Sequence, residues 1–298
     1  MRVFVTGASG WIGSATVDEL LGAGHEVVGL ARSDGSAAAL EAQGVTVLRG
    51  DLDDLEALRR GAADAEGVVH LANKHDWANP AESNRAERVA VETLGEALVG
   101  TGRPLVLAGG VAGLAAGRPG TEADPSPAIG PDSPRGGAEN LAFAYVDRGV
   151  RAVSARFAPT THGDGDHGFI ALITAAARRH GVSAYVGDGS TRWSAVHVSD
   201  AARLVRLGLE QAPAGTRLHA VAEEAIPSRE IAQAIGDALG VPVTSVAPED
   251  AVEHFGFIGM FFGMDLAAST DHTRRVFDWT PTGPGLLEDI KAGAYRGA

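Results

Sequence analysis

The chain has 298 residues, of which 45% are hydrophobic and 21% charged, and its formal net charge is −13. This composition is typical of a globular protein with a full core, and so acidic a surface repels nucleic-acid phosphates and anionic lipids. The sequence has no cysteine, which excludes disulfides, thiolate metal sites and cysteine nucleophiles. It also lacks an apolar run of the roughly 20 residues that a membrane helix needs, and it opens on a strand pattern instead of a signal peptide. We therefore expect a soluble, cytoplasmic protein with no nucleic-acid or membrane partner.

The first half of the chain alternates short apolar runs with amphipathic stretches. The runs are continuous in Val, Leu and Ala, as in parallel strands that helices cover on both faces. The predicted strands are 2–6, 26–31, 45–49, 67–72, 104–108 and 151–157, and the predicted helices are 11–23, 36–43, 53–61, 81–100 and 136–149. This order predicts an α/β fold of the Rossmann type, with a doubly wound parallel sheet.

The rest of the chain departs from this rhythm. Residues 109–135 are rich in Gly and Pro and predict a long ordered loop, of a length that is usually functional. Helical patterns dominate from residue 228 onward. We predict a Rossmann domain of residues 1–157 with about 190–222, and a smaller, mostly helical substrate-binding lobe of residues 158–189 and 223–298.

A glycine-rich motif follows the first predicted strand and opens the first predicted helix. The first glycine permits a tight turn, the second lets the backbone approach a pyrophosphate, and the third allows close packing of helix against strand. The helix N-terminus adds N–H groups and a positive dipole end for phosphates. The motif predicts a dinucleotide site built from Gly7, Ser9, Gly10, Trp11, Ile12 and Gly13.

The end of the second predicted strand indicates which dinucleotide binds. Sites selective for NAD usually place an acidic residue there to bind the ribose 2′-hydroxyl. This strand is followed by Arg32 and Ser33, which can donate hydrogen bonds to a 2′-phosphate. The sequence therefore favours NADP, although a solvated surface arginine would look the same.

With two residues between successive glycines, the motif resembles that of the short-chain dehydrogenase/reductase superfamily, in its extended, epimerase-like branch. Further landmarks along the whole chain agree, including Gly50-Asp51-Leu52, Val69-His70-Leu71-Ala72, Arg156-Phe157-Ala158-Pro159, His162-Gly163-Asp164-Gly165 and Trp279-Thr280-Pro281. The resemblance implies that the adenine lies near Asp51 and Leu52 and that the nicotinamide lies beside Pro159. The other cofactor contacts that it implies are Leu71, Ala72, Asn73 and Ala108.

The residues that usually carry this family's chemistry are missing from the sequence. None of the three tyrosines is followed by a lysine four residues later. Alignment with the family's Tyr-Gly-x-Ser-Lys pattern puts Arg135 in place of the lysine and Pro131 in place of the tyrosine. Gly109 and Gly110 stand where the family usually has serine. The resemblance therefore implies an atypical member, in which Arg135 orients the cofactor ribose and the glycine N–H groups bind an oxyanion.

Other polar residues are candidates for the missing chemistry. His75 follows the fourth strand and is the first candidate for the proton donor, since histidine titrates near neutral pH; a solvated His-Asp surface pair is the alternative. His162 is the second candidate, and its loop carries residue types that can bind metal, but a structural turn is favoured and no metal is predicted. The predicted substrate contacts are Asp76, Trp77, Gly109, Gly110, Arg192 and Trp193, and a salt bridge is an equal alternative for Arg192.

These features together predict an NADP(H)-dependent oxidoreductase that acts on a carbonyl or related group of a small organic molecule. An epimerase, a dehydratase or another lyase-like enzyme on the same scaffold is one alternative. A catalytically silent NADP-binding regulator is the other, which the missing serine and tyrosine favour. The family resemblance and the apolar stripe Val89, Val91, Leu94 and Leu98 also predict a homodimer through helices 81–100 and 136–149.

Overall fold

The computed structural model describes residues 1–297 of the chain. Its strands are β1 (Arg2–Thr6), β2 (Glu26–Ala31), β3 (Thr46–Arg49), β4 (Gly67–His70), β5 (Pro104–Gly110), β6 (Arg151–Phe157), β7 (Thr160–His162), β8 (Ser183–Val186), β9 (Arg192–His197), β10 (Thr216–Ala220), β11 (Glu223–Pro227) and β12 (Val243–Val246). Its α-helices are α1 (Trp11–Gly22), α2 (Asp34–Ala42), α3 (Leu55–Ala63), α4 (Pro80–Leu98), α5 (Ala138–Ala144), α6 (Phe169–His180), α7 (Val198–Gln211), α8 (Ser228–Leu239), α9 (Ala251–Phe255), α10 (Gly259–Phe262), α11 (Asp271–Phe277) and α12 (Leu286–Ala292).

Within residues 1–297, seven strands form the main sheet in the order β10-β6-β5-β4-β1-β2-β3. The pairings of β1 with β2, β2 with β3, β1 with β4 and β4 with β5 are parallel. The strand order reverses between β1 and β4, so the carboxyl ends of these two strands lie side by side, with Thr6 opposite His70. Ligands of doubly wound sheets bind at this switch point. The predicted α/β Rossmann fold is confirmed.

The described chain divides into two compact units. The first comprises Met1–Gly109, Pro125–Arg156 and Ala202–Leu218, and the second comprises Gly110–Asp124, Phe157–Ala201 and the segment that begins at His219. A core cluster of the first unit includes Phe4, Leu58, Leu94 and Leu105, and the second unit is built around Ile170, Trp193, Ile231, Phe262 and Ile290. The domain boundaries drawn from the sequence stay a prediction.

The helix predicted over 136–149 is wrong in its extent. The α-helix spans only Ala138–Ala144, and short 3-10 turns at Pro134–Gly137 and Val146–Arg148 flank it. The residues before it, Gly136 and Gly137, have φ values of 59° and 65°, which lie outside the α-helical region. The consequence is a tight left-handed segment that docks on α4.

The apolar stripe of α4 is accounted for within one chain. Val91, Leu94 and Leu98 are fully buried in the core, where they pack against neighbouring elements of the first unit. Val89, the first residue of the stripe, is half-buried. Three of the four stripe residues are therefore explained by the core of one chain, and the homodimer stays a prediction. No helix within residues 1–297 is both long and apolar enough to span a membrane.

Candidate functional site

The glycine loop between β1 and α1 forms a cradle that only glycine can build. Gly7 has a φ of 72°, and a Cβ there would lie 2.7 Å from the backbone nitrogen of Ala72. A Cβ on Gly13 would lie 1.9 Å from the carbonyl oxygen of Gly7. Gly10 is the N-cap of α1 and has no side chain, so within residues 1–297 no side-chain hydrogen bond caps this helix. The first turn of α1 therefore presents its backbone N–H groups as a phosphate site requires, and the cradle fits a dinucleotide.

Two arginines lie at the turn after β2: Arg32 belongs to the turn, and Arg49 reaches it from the end of β3 and was not singled out from the sequence. Arg32 is exposed, and the Ser33 hydroxyl caps α2 by accepting the backbone N–H of Ser36 at 3.2 Å. Arg49, at the end of β3, donates to the Ser33 carbonyl oxygen at 2.9 Å and to the Asp34 carboxylate at 2.8 Å. The acidic group closest to this turn in sequence, Asp34, is therefore paired with Arg49, while Arg32 is exposed to solvent.

The other predicted cofactor residues lie at or just after the ends of strands. Asp51 stiffens the turn after β3, because its Oδ1 accepts the N–H groups of Asp53 and Asp54 at 2.9 and 3.1 Å. Leu52 is buried in the core of the first unit. Leu71, Ala72 and Asn73 are half-buried directly after β4, Ala108 is buried in β5, and Pro159 is half-buried between β6 and β7 in the second unit.

The loop after β4 carries the first candidate proton donor. His75 is exposed, and its φ of 50° is unusual for a residue with a side chain. Its backbone N–H donates to the Asn73 Oδ1 at 2.8 Å. The Trp77 side chain is exposed, with its ring centroid 6.3 Å from that of His75. Asp76 accepts the backbone N–H groups of Ala78 and Asn79, so its carboxylate shapes the start of α4.

Arg135 meets a glutamate that the sequence analysis did not single out. Its Nη2 donates to the Oε1 of Glu87 at 2.6 Å, and the Asn73 side-chain amide donates to the Oε2 of the same carboxylate at 3.1 Å. Glu87 is fully buried; burial alone would raise the pKa of its carboxyl, but the charge of Arg135 and the hydrogen bonds from Arg135 and Asn73 outweigh that effect and lower the pKa. The carboxylate is therefore ionised at neutral pH.

His70 completes this cluster from β4. Its Nδ1 lies 2.7 Å from the hydroxyl of Thr6, the last residue of β1. Its Nε2 lies 3.8 Å from the Glu87 Oε1 and makes no hydrogen bond within residues 1–297. Burial lowers the pKa of His70, more than the Glu87 charge raises it, so the imidazole is neutral.

Gly109 has no room for the serine that the family usually carries. A Cβ at this position would lie 2.8 Å from the Ser154 Oγ and 3.3 Å from the Glu139 Oε2. Glu139 is held by Arg156, whose Nε and Nη2 donate to its two oxygens at 2.8 and 2.6 Å, and by the Ser154 hydroxyl at 2.7 Å. At Gly110, by contrast, a Cβ would meet no atom of the described chain within 4 Å.

The second candidate proton donor, His162, lies in the second unit. It is fully buried, and its Nδ1 lies 2.6 Å from the Asp289 Oδ2. Its Nε2 makes no hydrogen bond within residues 1–297, and burial lowers its pKa despite the Asp289 carboxylate. Nearby in the chain, Asp166 accepts the Tyr295 hydroxyl at 2.7 Å. No three His, Asp or Glu side chains among the described residues converge as metal ligands would.

The two predicted substrate residues of β9 also belong to the second unit. Arg192 forms a bidentate ion pair with Asp265, at 2.6 and 3.2 Å, which is the salt bridge that the sequence left as an alternative. Trp193 is fully buried, and its Nε1 donates to the Met264 carbonyl oxygen at 3.2 Å. Whether either residue contacts a substrate stays a prediction.

The residues that sequence reasoning missed are charged side chains buried in the first unit. Glu87 and Glu139 look like ordinary solvent-facing glutamates on helices, and Arg49 looks like a surface residue at a strand end. A signal for Glu87 was present, because it lies one residue after Ala86 and three and four residues before Ala90 and Val91, on the buried face of α4. No comparable local signal marks Arg156 as the partner of Glu139.

Comparison with known proteins places this geometry in a family. The pattern described as "NAD dependent epimerase/dehydratase family" matches residues 3–221. An uncharacterized protein of Schizosaccharomyces pombe, C2A9.02, is 45% identical over 99% of this chain and 100% of its own. The 2'-dehydrokanamycin reductase of Streptomyces kanamyceticus is 30% identical over 99% of this chain and 80% of its own. The solved structure of MoeE5 in complex with UDP-glucuronic acid and NAD has a TM-score of 0.74 at 26% identity, covering 99% of this chain and 98% of that one. The predicted membership is confirmed: the chain belongs to the NAD dependent epimerase/dehydratase family, within the extended short-chain dehydrogenases/reductases.

Proposed function

We propose that this protein is an NADP(H)-dependent oxidoreductase that reduces a carbonyl or related group of a small organic molecule. The glycine cradle at the switch point between β1 and β4 carries this proposal, since a Cβ at Gly7 or Gly13 would clash with the backbone that forms it. The similar MoeE5 structure holds NAD, which supports a nicotinamide dinucleotide here. When bound, the reduced cofactor supplies a hydride to the carbonyl carbon. The similar 2'-dehydrokanamycin reductase supports the reductive direction.

The choice of NADP rests on the turn after β2. A 2′-phosphate carries negative charge, which the exposed guanidinium of Arg32 can bind through a fork of N–H donors. The nearby Asp34 carboxylate would repel a phosphate, but its ion pair with Arg49 offsets that charge. The turn therefore offers cationic and hydroxyl groups to the adenosine end of the cofactor.

The chain's own side chains supply the remaining chemistry. A proton must reach the carbonyl oxygen as hydride reaches the carbon, and we assign it to His75, whose exposed ring follows β4. Arg135 takes the place of the family lysine and binds ribose hydroxyls without transferring protons, because a guanidinium stays charged. The backbone N–H groups of Gly109 and Gly110 are the candidates for holding the developing oxyanion. Trp77 offers an exposed apolar ring to the substrate.

The test begins with cofactor affinity, measured by calorimetry for NADPH and NADH. We expect NADPH to bind more tightly, and Arg32→Asp to remove one to two decades of that preference, because a charge-assisted contact contributes roughly 1.5–3 kcal/mol. The matched control is Arg59→Asp, an exposed arginine of α3 whose guanidinium pairs with Glu56 instead. Equal dissociation constants of the wild-type protein for the two cofactors would overturn the NADP assignment.

A panel of small carbonyl compounds then tests the reaction. Loss of NADPH absorbance with formation of the alcohol supports the reductase. An isomerised or dehydrated product without net consumption of NADPH would instead support the epimerase or dehydratase alternative. Tight NADPH binding without turnover of any compound would favour the regulator.

A further inference from the structure

Backbone strain is concentrated at two candidate residues of the first unit. Among residues 1–297, the non-glycine residues with positive φ are His75 at 50°, Arg135 at 55° and Asp278 at 47°. Asp278 ends α11, where a left-handed residue is common. His75 and Arg135 end no α-helix. A side chain in this conformation costs of order 1 kcal/mol, and such residues cluster at functional sites where their surroundings fix them.

The surroundings of Arg135 fix its backbone closely. Its N–H donates to the Asn84 Oδ1 at 2.8 Å, and the next carbonyl, that of Gly136, accepts from Arg88 at 2.8 Å. A Cβ on Gly136 would lie 2.4 Å from the carbonyl oxygen of Asn84, so the left-handed segment fits against α4 only with glycine. The segment therefore delivers the Arg135 side chain to one place on α4, which is Glu87.

One carboxylate connects the two strained residues. Glu87 accepts from Arg135 through Oε1 and from Asn73 through Oε2, and Asn73 in turn accepts the backbone N–H of His75. Glu87 is fully buried, whereas the Arg135 side chain is 35% exposed. The Arg135 Nε is itself buried and finds no acceptor within residues 1–297. The guanidinium is thus fixed along one edge and left with a donor that no residue of the described chain uses.

Packing alone gives little reason for a carboxylate at this point. Burying an ion pair is often no better for stability than a well-packed apolar pair, because the cost of removing both charges from water offsets their attraction. The buried neighbours of Glu87 on α4 include Ala86, Ala90 and Val91, which are apolar. An apolar side chain at position 87 would therefore match its neighbours in type. A role in placing other groups explains the glutamate better than stability does.

We infer that Glu87 is the positioning residue of this site: it orients the Arg135 guanidinium and, through Asn73, sets the backbone of His75. This inference rests on the proposed function, since Arg135 and His75 are its ribose-binding and proton-donating groups. It adds that dinucleotide affinity and the placement of the proton donor both depend on one buried carboxylate, which itself touches neither cofactor nor substrate.

The first measurement is a double-mutant cycle on NADPH affinity with Glu87→Gln, Arg135→Ala and the double variant. If Glu87 acts through Arg135, each single variant weakens binding about tenfold and the double variant binds no more weakly than Arg135→Ala. A purely structural glutamate would instead lower affinity again by the same factor in the Arg135→Ala background. The matched control is Glu96→Gln, which removes an exposed carboxylate of the same helix that pairs with Arg148.

The second measurement needs no cofactor. Amide hydrogen exchange of residues 73–77 in the free protein should rise in Glu87→Gln and stay at the wild-type rate in Glu96→Gln. If Glu87→Gln does not fold, Asn73→Ala tests the same link from its half-buried end and should raise exchange in that segment. Unchanged exchange together with unchanged NADPH affinity in Glu87→Gln would overturn the inference alone. A wild-type protein that binds neither NADPH nor NADH would overturn the proposed function and this inference with it.

Discussion

The pair Glu139–Arg156 and the pair Glu87–Arg135 lie in the same compact unit, yet their arginines are in different situations. Arg156 is fully buried, makes two hydrogen bonds to Glu139, and shares that carboxylate with the Ser154 hydroxyl. Arg135 makes one hydrogen bond to Glu87, keeps a third of its side chain exposed, and lies in a left-handed backbone segment.

This difference separates an enclosed pair from one whose arginine keeps an exposed edge. Arg156 and Glu139 are both buried, so this pair presents no exposed edge to a ligand. Arg135 keeps an exposed edge, and its strained backbone gives the guanidinium a fixed direction. The same two residue types therefore form an enclosed pair in one place and a partly exposed pair in another, depending on their surroundings.

The largest expected effect comes from removing one partner of the enclosed pair, Glu139–Arg156. Glu139→Gln leaves Arg156 charged and buried without its counter-ion, so the free energy of unfolding should fall by about 3–5 kcal/mol. Glu87→Gln should cost less, about 1–3 kcal/mol, because Arg135 can turn its guanidinium to solvent. Urea denaturation of both variants measures the difference. An equal loss of stability in the two variants would contradict the claim that Arg135 can turn to solvent while Arg156 cannot.

The next prediction concerns the far end of the Glu87 network. His75→Ala should lower turnover by about 10²-fold or more, roughly 3 kcal/mol of barrier, and leave NADPH affinity and stability close to wild type. The control is His272→Ala, which removes an exposed histidine of α11. Wild-type turnover in His75→Ala would move the assignment to His162, and wild-type turnover in His162→Ala as well would leave the proton to water or to the substrate.

A smaller effect tests why this chain has glycine where the family usually has serine. Gly109→Ser would push its Cβ against the Ser154 hydroxyl and the Glu139 carboxylate, so we expect a loss of about 1–3 kcal/mol in stability. Gly110→Ser places the same side chain in open space and should cost close to nothing. Thermal melting of the two variants side by side measures the contrast. A Gly109→Ser protein as stable as wild type would show that the Ser154 and Glu139 side chains can move to make room.

The last prediction concerns how the free energy of unfolding changes with pH. Burial lowers the pKa of His70, beside Glu87, and of His162, so the unfolded chain binds more protons than the folded one below the unfolded value of about 6.5. The free energy of unfolding should therefore hold above that pH and fall below it, by up to about 1.4 kcal/mol per pH unit for each histidine.

Denaturation at about pH 7.5 and about pH 5.5 measures this slope, since Glu87 and Glu139 have lowered pKa values and titrate only in stronger acid. A His70→Gln variant should have a shallower slope than wild type. Stability that does not change between the two pH values would contradict the assignment of a neutral, buried His70.

Local sequence was enough to predict the first six strands of the main sheet and the glycine cradle. Strands β1 to β6 were predicted from continuous apolar runs, and the cradle from the spacing of Gly7, Gly10 and Gly13. Both signals lie within a few consecutive residues. The family followed from the same motifs. The extent of the helix at 136–149 was mispredicted, because its composition does not reveal that Gly136 and Gly137 adopt left-handed conformations against α4.

Only the tertiary structure decided which charged side chains meet. The pairs Glu87–Arg135 and Glu139–Arg156 join residues 48 and 17 positions apart, and Arg49 reaches Asp34 across 15. A lone glutamate on a helix is a surface residue in most proteins. The residues next to it in sequence do not reveal that a distant arginine will pair with it. Composition and spacing therefore determined the fold and the cofactor cradle. The packing of α4 and α5 on the sheet determined which arginine became fully buried and which kept an exposed edge.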